Sequence, residues 1–235
     1  MKRLLLSLTV LLLLTSCEVL SQLPTIPSKG GVTEAQAGEG IKDALGQGLT
    51  RAVGNLNKTD AFFGSQFYKI LLPPEVQRVE RTLRNIGLGP TVDKAILQIN
   101  RGAEDAVGFA TPIFVNAIKQ MSITDAINII RGPKNGATNF FKQKTSEQLI
   151  AAFSPSVKNS LDKVEATKYY GDLVNGYNKL PTTRNKLNPD LTAYVVGKTV
   201  DALFDQIAKE EQEIRENPVK RTTEMMKKVF GAVWN

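Results

Sequence analysis

Apolar residues recur along most of this chain at alternating steps of three and four positions. The longest such stretch covers residues 91–121, where charged and amide side chains occupy the positions between. Steps of three and four place apolar side chains on one face of an α-helix, which then packs against other helices. Because a proline inside a helix removes a hydrogen bond, we expect this central helix to kink or restart at Thr111-Pro112. The apolar stripe consists of Val92, Ile96, Ile99, Ala103, Ala106, Ala110, Ile113, Ala117 and Met121.

Further segments with the same spacing lie on both sides of the central one, and capping residues indicate where several begin. Thr33, with Gln36 three positions later, fits a capping box for a first helix. The pairs Ser154-Pro155 and Asn188-Pro189 are both typical of a helix start. No stretch alternates convincingly with the period of two that a strand shows. The pattern predicts an all-α, bundle-like globular domain of several helices, in which the turn at residues 132–136 leaves a division into two subdomains open.

Residues 1–17 follow a different pattern. Lys2 and Arg3 precede an apolar run over residues 4–14, which is too short for a permanent membrane span and is typical of an export signal. The run Leu14-Thr15-Ser16-Cys17 resembles the bacterial lipobox, in which the cysteine is acylated and becomes the N-terminus after cleavage. Because Cys17 is the single cysteine of the chain, it has no disulfide partner within it. We expect a lipid anchor on Cys17; the alternative is a chance cysteine behind an ordinary signal peptide.

Residues 18–32 have the composition of a linker, with prolines, serines and glycines and no sustained period. The predicted organisation is a cleaved signal peptide over residues 1–16, a lipidated cysteine and flexible linker over residues 17–32, and one globular domain over residues 33–235. Such a linker would let the domain lie close to a membrane surface or away from it.

Composition and charge narrow the classes of function. Apolar residues make up 42% of the chain and charged residues 23%, as in ordinary globular proteins. The net charge is +7, but the basic residues are spread along the chain and interleaved with acidic ones. No stretch therefore indicates a nucleic-acid interface. The lack of histidine, together with a single cysteine, excludes Ser-His-Asp and Cys-His catalysis and the usual zinc sites. We therefore predict a non-enzymatic protein with no metal and no other cofactor.

Five residues are candidates for binding. Glu104 lies midway along the central segment, and we expect it to form a semi-buried ion pair with a basic residue of another helix. Tyr169 and Tyr170 would form a recognition edge, or one ring would pack in the core while the other stays exposed. Phe62 and Phe67 belong to a cluster of aromatic and aliphatic residues, which predicts a core contact, with an apolar ligand pocket as the alternative.

One pair of carboxylates has the spacing of a joint site. Asp201 and Asp205 are four residues apart and share a helix face, where they would bind a cation or act as an acid-base pair. Lys198 and Lys209 lie within one turn of them, which favours surface ion pairs instead.

Residues 218–235 form a basic amphipathic segment with Trp234 beside its apolar face. Such a helix either completes the core or lies on an anionic membrane surface, and we expect it to dock on the bundle. Its apolar face consists of Val219, Thr222, Met226, Val229, Phe230 and Val233.

Several runs of the chain resemble a known family, the bacterial proteins grouped as domain of unknown function 4197. The resemblance covers roughly residues 32–231 and implies one continuous domain in an exported or lipid-anchored helical protein of a Gram-negative envelope. It implies no activity, ligand or partner. The runs are ILLPPE (70–75), INRGAED (99–105), ATKYYGDL (166–173), NPDLT (188–192), RENP (215–218) and KKVFG (227–231).

These features together predict a lipid-anchored protein of the cell envelope that acts as a binding or scaffolding module, with the membrane and an envelope protein as partners. Glu18 after the anchor, in place of aspartate, favours the outer membrane over the inner one. The first alternative is a carrier of a lipid or other apolar ligand, which requires a cavity lined by Phe62, Phe67, Phe140 and Phe141. The second is a carboxylate-dependent hydrolase, which requires converging acids with raised pKa values.

Overall fold

The computed structural model describes residues 31–179 and 186–232. The predicted all-α class and the single compact domain are confirmed over these residues. The signal peptide, Cys17 and linker residues 18–30 lie outside them, as do Val233 and Trp234. The helices of the described part are α1 Glu34–Leu56, α2 Gln77–Leu83, α3 Gly89–Val107, α4 Ala110–Gln120, α5 Ile123–Arg131, α6 Gly136–Asp162, α7 Ala166–Asn178, α8 Leu191–Glu216 and α9 Glu224–Gly231.

The core lies between the long helices α1, α3, α6 and α8. Helix α6 packs against both α3 and α8, and α8 packs against α1. The rings of Phe114 and Phe141 meet edge to face with their centroids 5.0 Å apart, and the ring of Phe204 also meets Phe114 edge to face, at a centroid distance of 6.2 Å. All three rings are buried, so the centre of the bundle is filled by aromatic side chains. Residues on both sides of the turn 132–136 join this one core, so the turn does not divide the domain.

The central segment restarts as expected, but slightly before the predicted pair. Helix α3 ends at Val107, and α4 begins at Ala110, so that Pro112 lies in its first turn. A proline ring excludes the carbonyl group four positions earlier, which here belongs to Gly108. The chain therefore breaks at Gly108 and Phe109, where the N–H groups bond to carbonyls three positions back.

The predicted helix start at Ser154-Pro155 is wrong. Helix α6 runs through both residues without interruption. Phe153 and Val157, on either side of the proline, are buried in the same core, while Pro155 faces outward. The Ser154 hydroxyl donates to the Ile150 carbonyl at 2.6 Å. Core packing on both sides of Pro155 therefore keeps the helix continuous despite the lost hydrogen bond.

The capping box of α1 is confirmed, because Thr33 and Gln36 each accept a hydrogen bond from the backbone N–H of the other. Val32, which the composition places in the linker, is only 1% exposed and packs with Ala37 and Val229. A hydrophobic contact between the residue before the cap and the fourth helical residue fixes how the chain enters a helix. The packed part of the chain therefore begins before Thr33.

Helix α9 docks on α1, as expected for the C-terminal segment. Met226 and Val229 are fully buried, and a Cβ atom added to Gly40 of α1 would lie 2.5 Å from the Val229 side chain. Val219 departs from the predicted apolar face, because it is 87% exposed in the turn before α9.

Candidate functional site

Residues 57–73 connect α1 to α2 without a helix of their own, and we refer to them as the 57–73 loop. Glu104 of α3 lies beneath this loop and is only 3% exposed. One carboxylate oxygen accepts the N–H groups of Phe62 at 3.0 Å and Phe63 at 3.3 Å, and the other accepts from the Arg101 guanidinium at 2.6 Å. The ion-pair partner therefore comes from the same helix rather than from another one, which corrects the prediction. Arg101 also reaches Asp60 of the loop at 2.8 Å.

Asn100, one turn before Glu104, fixes the far end of the loop. Its side chain is fully buried, accepts the N–H of Ile70 at 2.8 Å and donates to the Ile70 carbonyl at 2.8 Å. The amide also donates to the Ile96 carbonyl of its own helix at 2.7 Å. A buried polar side chain with all its groups satisfied holds its partner in one position. Two side chains of α3 thus determine where the loop lies.

The loop separates the two candidate phenylalanines. Phe62 is fully buried in the core, whereas Phe67 is 86% exposed. The Ser65 hydroxyl accepts the N–H groups of Phe67 at 3.2 Å and Tyr68 at 3.1 Å, which tightens the turn that carries them. The core interpretation is confirmed for Phe62 and is wrong for Phe67, which lies on the surface.

Tyr68 joins the loop to α8 through Asp205 and Lys209. Its hydroxyl donates to Asp205 at 2.7 Å and accepts from Lys209 at 2.8 Å, and the Lys209 ammonium lies 2.8 Å from the same carboxylate oxygen. Burial raises the pKa of Tyr68. Although burial alone would raise it, the bonds from Lys209 and Tyr68 hold the pKa of Asp205 below its usual value. All three groups therefore keep their ordinary charge states at neutral pH.

An open groove of about 610 Å³ lies between the 57–73 loop and α8. The loop contributes residues 67–72, with Ala202 of α8 facing them. The remaining wall is a stripe on one face of α8, because its members recur at steps of three and four. The stripe consists of Tyr194, Lys198, Asp201, Asp205 and Lys209.

The predicted carboxylate pair lies in this groove but does not form a joint acid site. Asp205 pairs with Lys209, as expected, whereas Asp201 and Lys198 form no salt bridge within the described residues. The carboxyl groups of residues 31–179 and 186–232 whose pKa departs clearly from its usual value all shift downward. A general acid requires the opposite direction. In the same part of the chain, no group of acidic or cysteine side chains has the arrangement of a metal site.

Tyr169 and Tyr170 lie on α7 and do not line the groove. Tyr169 is 59% exposed and donates to Glu165 at 2.7 Å. Tyr170 packs against the core and donates to the Asn188 carbonyl at 3.1 Å. The prediction of one packed ring and one exposed ring is confirmed.

The cavity that an apolar carrier requires is not formed by the predicted rings. Phe62 and Phe141 are buried in the core, Phe67 is on the surface, and Phe140 borders a separate small depression lined by residues of α4, α5 and α6. A void beside Phe141, bordered by α1 and α8, measures about 30 Å³. That volume is of the order needed for a single water molecule and is far too small for a lipid chain.

Sequence reasoning missed Asn100 and Tyr68. Asn100 was recognisable, because it stands four residues after Ile96, within the apolar stripe of α3. A polar residue on a buried face indicates a specific hydrogen-bond partner. Tyr68 gave no such signal, since its partners lie some 140 positions away in the sequence.

A family model described as protein of unknown function (DUF4197) matches residues 31–231. The chain belongs to this family. The DUF4197 match begins next to the buried Val32 and ends at the last residue of α9, so it coincides with the packed domain. Two of the runs that carried the resemblance meet in the DUF4197 fold, where Asn100 binds Ile70. Searches of the curated proteins and of the solved structures returned no match. None of the described helices is long and apolar enough to cross a membrane.

Proposed function

We propose that this protein is a lipid-anchored lipoprotein of the cell envelope, and that it acts as a binding module through the groove between the 57–73 loop and α8. The lipobox-like run at Cys17 supports the anchor, and the outer membrane is the proposed location. The geometry of the groove supports the binding role.

The solvent exposure of the Phe67 ring is the observation that supports this proposal most directly. Phe67 is 86% exposed and Leu71 of the same loop is 49% exposed, so together they present apolar surface at the groove, which is more favourable when a partner covers it. The loop that carries Phe67 is fixed from below by Asn100 and Glu104 and from the side by Tyr68. A rigid loop loses little conformational entropy when a ligand binds, so an aromatic ring on it is well placed to anchor a partner.

Site-specific photocrosslinking in living cells tests the groove. A photoreactive amino acid replaces Phe67 in the full chain, and a matched variant carries it at Val219, which is 87% exposed but lies in the turn before α9. We expect a discrete crosslinked species from position 67 and none from position 219. Equal products at both positions, or no product at position 67, would contradict the proposed site.

Metabolic labelling tests the anchor separately. We expect an alkyne fatty acid to label the natural protein and to leave Cys17→Ser unlabelled, because no other cysteine is available for acylation. Label on the variant would rule out Cys17 as the anchor. Separation of the two membranes by density then determines whether the labelled protein resides in the outer one.

A further inference from the structure

We infer that the ligand of this groove is an extended, acidic polypeptide segment that pairs with the main chain of the protein at Leu71. This inference rests on the proposed function, because it names the class of partner for the same groove.

The main chain around Leu71 presents a free hydrogen-bonding edge. Residues 69–71 adopt neither helix nor turn, and Asn100 takes both the N–H and the C=O of Ile70. Both groups of one residue face a single partner only where the backbone is extended, and successive residues of an extended chain direct these groups to opposite sides. The N–H and C=O of Leu71 therefore point away from α3, and neither makes a hydrogen bond to any described residue. Asn100 thus occupies one side of this short segment and leaves the other side open.

Helix α8 forms a wall opposite this edge and sets the length of chain that fits. Its groove residues extend from Tyr194 to Lys209, which corresponds to about 22 Å at the rise of an α-helix. An extended polypeptide of about six or seven residues has the same length. Addition of an extended peptide to an open strand edge is a common mode of recognition, in which main-chain bonds supply affinity and flanking side chains supply specificity.

The charges of the groove favour acidic side chains in that peptide. Lys209 and Asp205 neutralise each other. Lys69 and Lys198 form no salt bridge within the described residues, and their ammonium groups lie over aromatic rings, 4.1 Å from the centroid of Phe63 and 5.9 Å from that of Tyr194. Two such lysines stand against the single carboxylate of Asp201, so the groove carries a surplus of positive charge.

Side chains of alternating character match the mixed lining of the groove, which is partly apolar and partly charged. An extended peptide directs successive side chains to opposite faces. The groove lining offers exposed apolar surface at Phe67 and Leu71, and positive charge at Lys69 of the loop and Lys198 of α8. Peptides that alternate apolar and acidic residues are therefore the class that fits.

A peptide array probes this class directly. Decapeptides with glutamate at even positions and Val, Leu, Phe or Tyr at odd positions are incubated with the full chain in detergent, beside counterparts with lysine in place of glutamate. We expect the acidic peptides to retain the protein and the basic ones to retain at least tenfold less. Retention of the basic peptides alone, or of neither set, would overturn the inference.

A pair of substitutions at one position isolates the main-chain bond. Leu71→Pro and Leu71→Ala both remove the side chain, but only the proline also removes the N–H that the peptide would use. The bonds from the Asn100 amide to both groups of Ile70 require an extended backbone there, which is the conformation that a proline at position 71 demands of the residue before it. We expect Leu71→Pro to bind the retained peptide at least tenfold more weakly than Leu71→Ala. Equal affinities would contradict pairing at Leu71.

N-methylation of the peptide gives the same information with an unaltered protein. Each backbone nitrogen of a retained peptide is methylated in turn, and its affinity is measured by isothermal titration. Strand pairing predicts losses at every second position. Losses at steps of three or four, or none, would overturn the inference.

If the array fails while crosslinking at position 67 still yields an adduct, the groove remains the binding site and only the peptide class is wrong.

Discussion

Two buried polar side chains, Asn100 and Glu104, place the candidate site on the fold. They are one turn apart on α3, and between them they satisfy four main-chain groups of the 57–73 loop. Hydrogen bonds in a buried environment are expensive to leave unmade, so this arrangement disfavours other positions of the loop. The loop in turn displays Phe67, which links a buried contact to the proposed binding surface.

Replacement of Glu104 tests this role. Glu104→Gln keeps the size of the side chain but removes the charge that pairs with Arg101, and it brings amide hydrogens towards the N–H groups of Phe62 and Phe63. We expect the free energy of unfolding to fall by about 2 to 4 kcal/mol, as measured by chemical denaturation. Asp105→Asn is the matched control, because Asp105 is the exposed neighbour and its substitution leaves stability within about 0.5 kcal/mol. Equal effects of the two variants would show that Glu104 does not hold the loop.

The contacts of Glu104 were predictable from the sequence only in part. Its position midway along an amphipathic segment predicted a semi-buried acid with a basic partner; the basic partner is present, and the acid is buried more deeply than expected, at 3% exposure. The partner was assigned to another helix, although Arg101 stands three residues earlier and reaches the same face. The bonds to the loop were not predictable, since they join residues some 40 positions apart that local pattern does not relate.

The helices pack closely where one of them carries a glycine at the contact. A Cβ atom added to Gly102 of α3 would lie 2.9 Å from the Ser160 side chain of α6, and one added to Gly40 of α1 would lie 2.5 Å from Val229 of α9. Glycines destabilise helix α1 itself. At a helix contact they are favourable because the lack of a Cβ atom lets the neighbouring helix come closer.

Two identical substitutions in α1 should therefore change stability in opposite directions. Gly40→Ala forces α9 away from α1, because its Cβ meets Val229 and the carbonyl of Met225. Gly46→Ala adds a Cβ with no atom within 4 Å and gains about 1 kcal/mol from helix propensity alone. We expect a lower melting temperature for the first variant and a higher one for the second, as measured by circular dichroism. A rise for both would mean that α9 yields to the added methyl group without loss.

The prolines show why helix boundaries were predicted unevenly. Pro112 and Pro155 each disrupt the helical hydrogen bonds locally, yet the helix breaks before the first and continues through the second. Near Pro112 the chain contains Gly108, which forms part of the break. Around Pro155, buried side chains on both sides belong to one core face. Local sequence shows that a proline destabilises a helix. Whether core packing compensates for that loss of stability depends on residues that are distant in the sequence.

Taken over the whole chain, the helical class and the core were predictable because they follow from the spacing of apolar residues. The groove was not, since its two walls come from residues 67–72 and from α8, more than 100 positions later. Asp201, Asp205, Lys198 and Lys209 were recognised as one helical face, but their relation to Phe67 and Tyr68 requires the tertiary fold. Periodicity thus identified one wall of the candidate site and could not indicate what lies opposite.

The C-terminal segment offers a test of how the whole domain is held together. Deletion of residues 218–235, in a chain that begins at Gly31, removes the buried side chains of Met226 and Val229. It also removes Arg221, which donates to the carbonyls of Ile214 and Arg215 at the end of α8. We expect unfolding to become easier by about 3 to 6 kcal/mol from the two apolar side chains alone. For a domain of this size that corresponds to a fall in melting temperature of at least about 6 °C.

A substitution at an exposed position of the same segment serves as the control for the deletion. Val219→Ser alters a residue that is 87% exposed, so we expect its melting temperature to equal that of the intact domain.

Vesicles of anionic lipid complete the comparison, because a basic amphipathic helix that lies on a membrane would bind them. If the deletion leaves melting unchanged but abolishes vesicle binding, the segment acts on the membrane and its docking on α1 contributes no stability. If melting falls as expected, the apolar face of α9 belongs to the core and is not available to lipid.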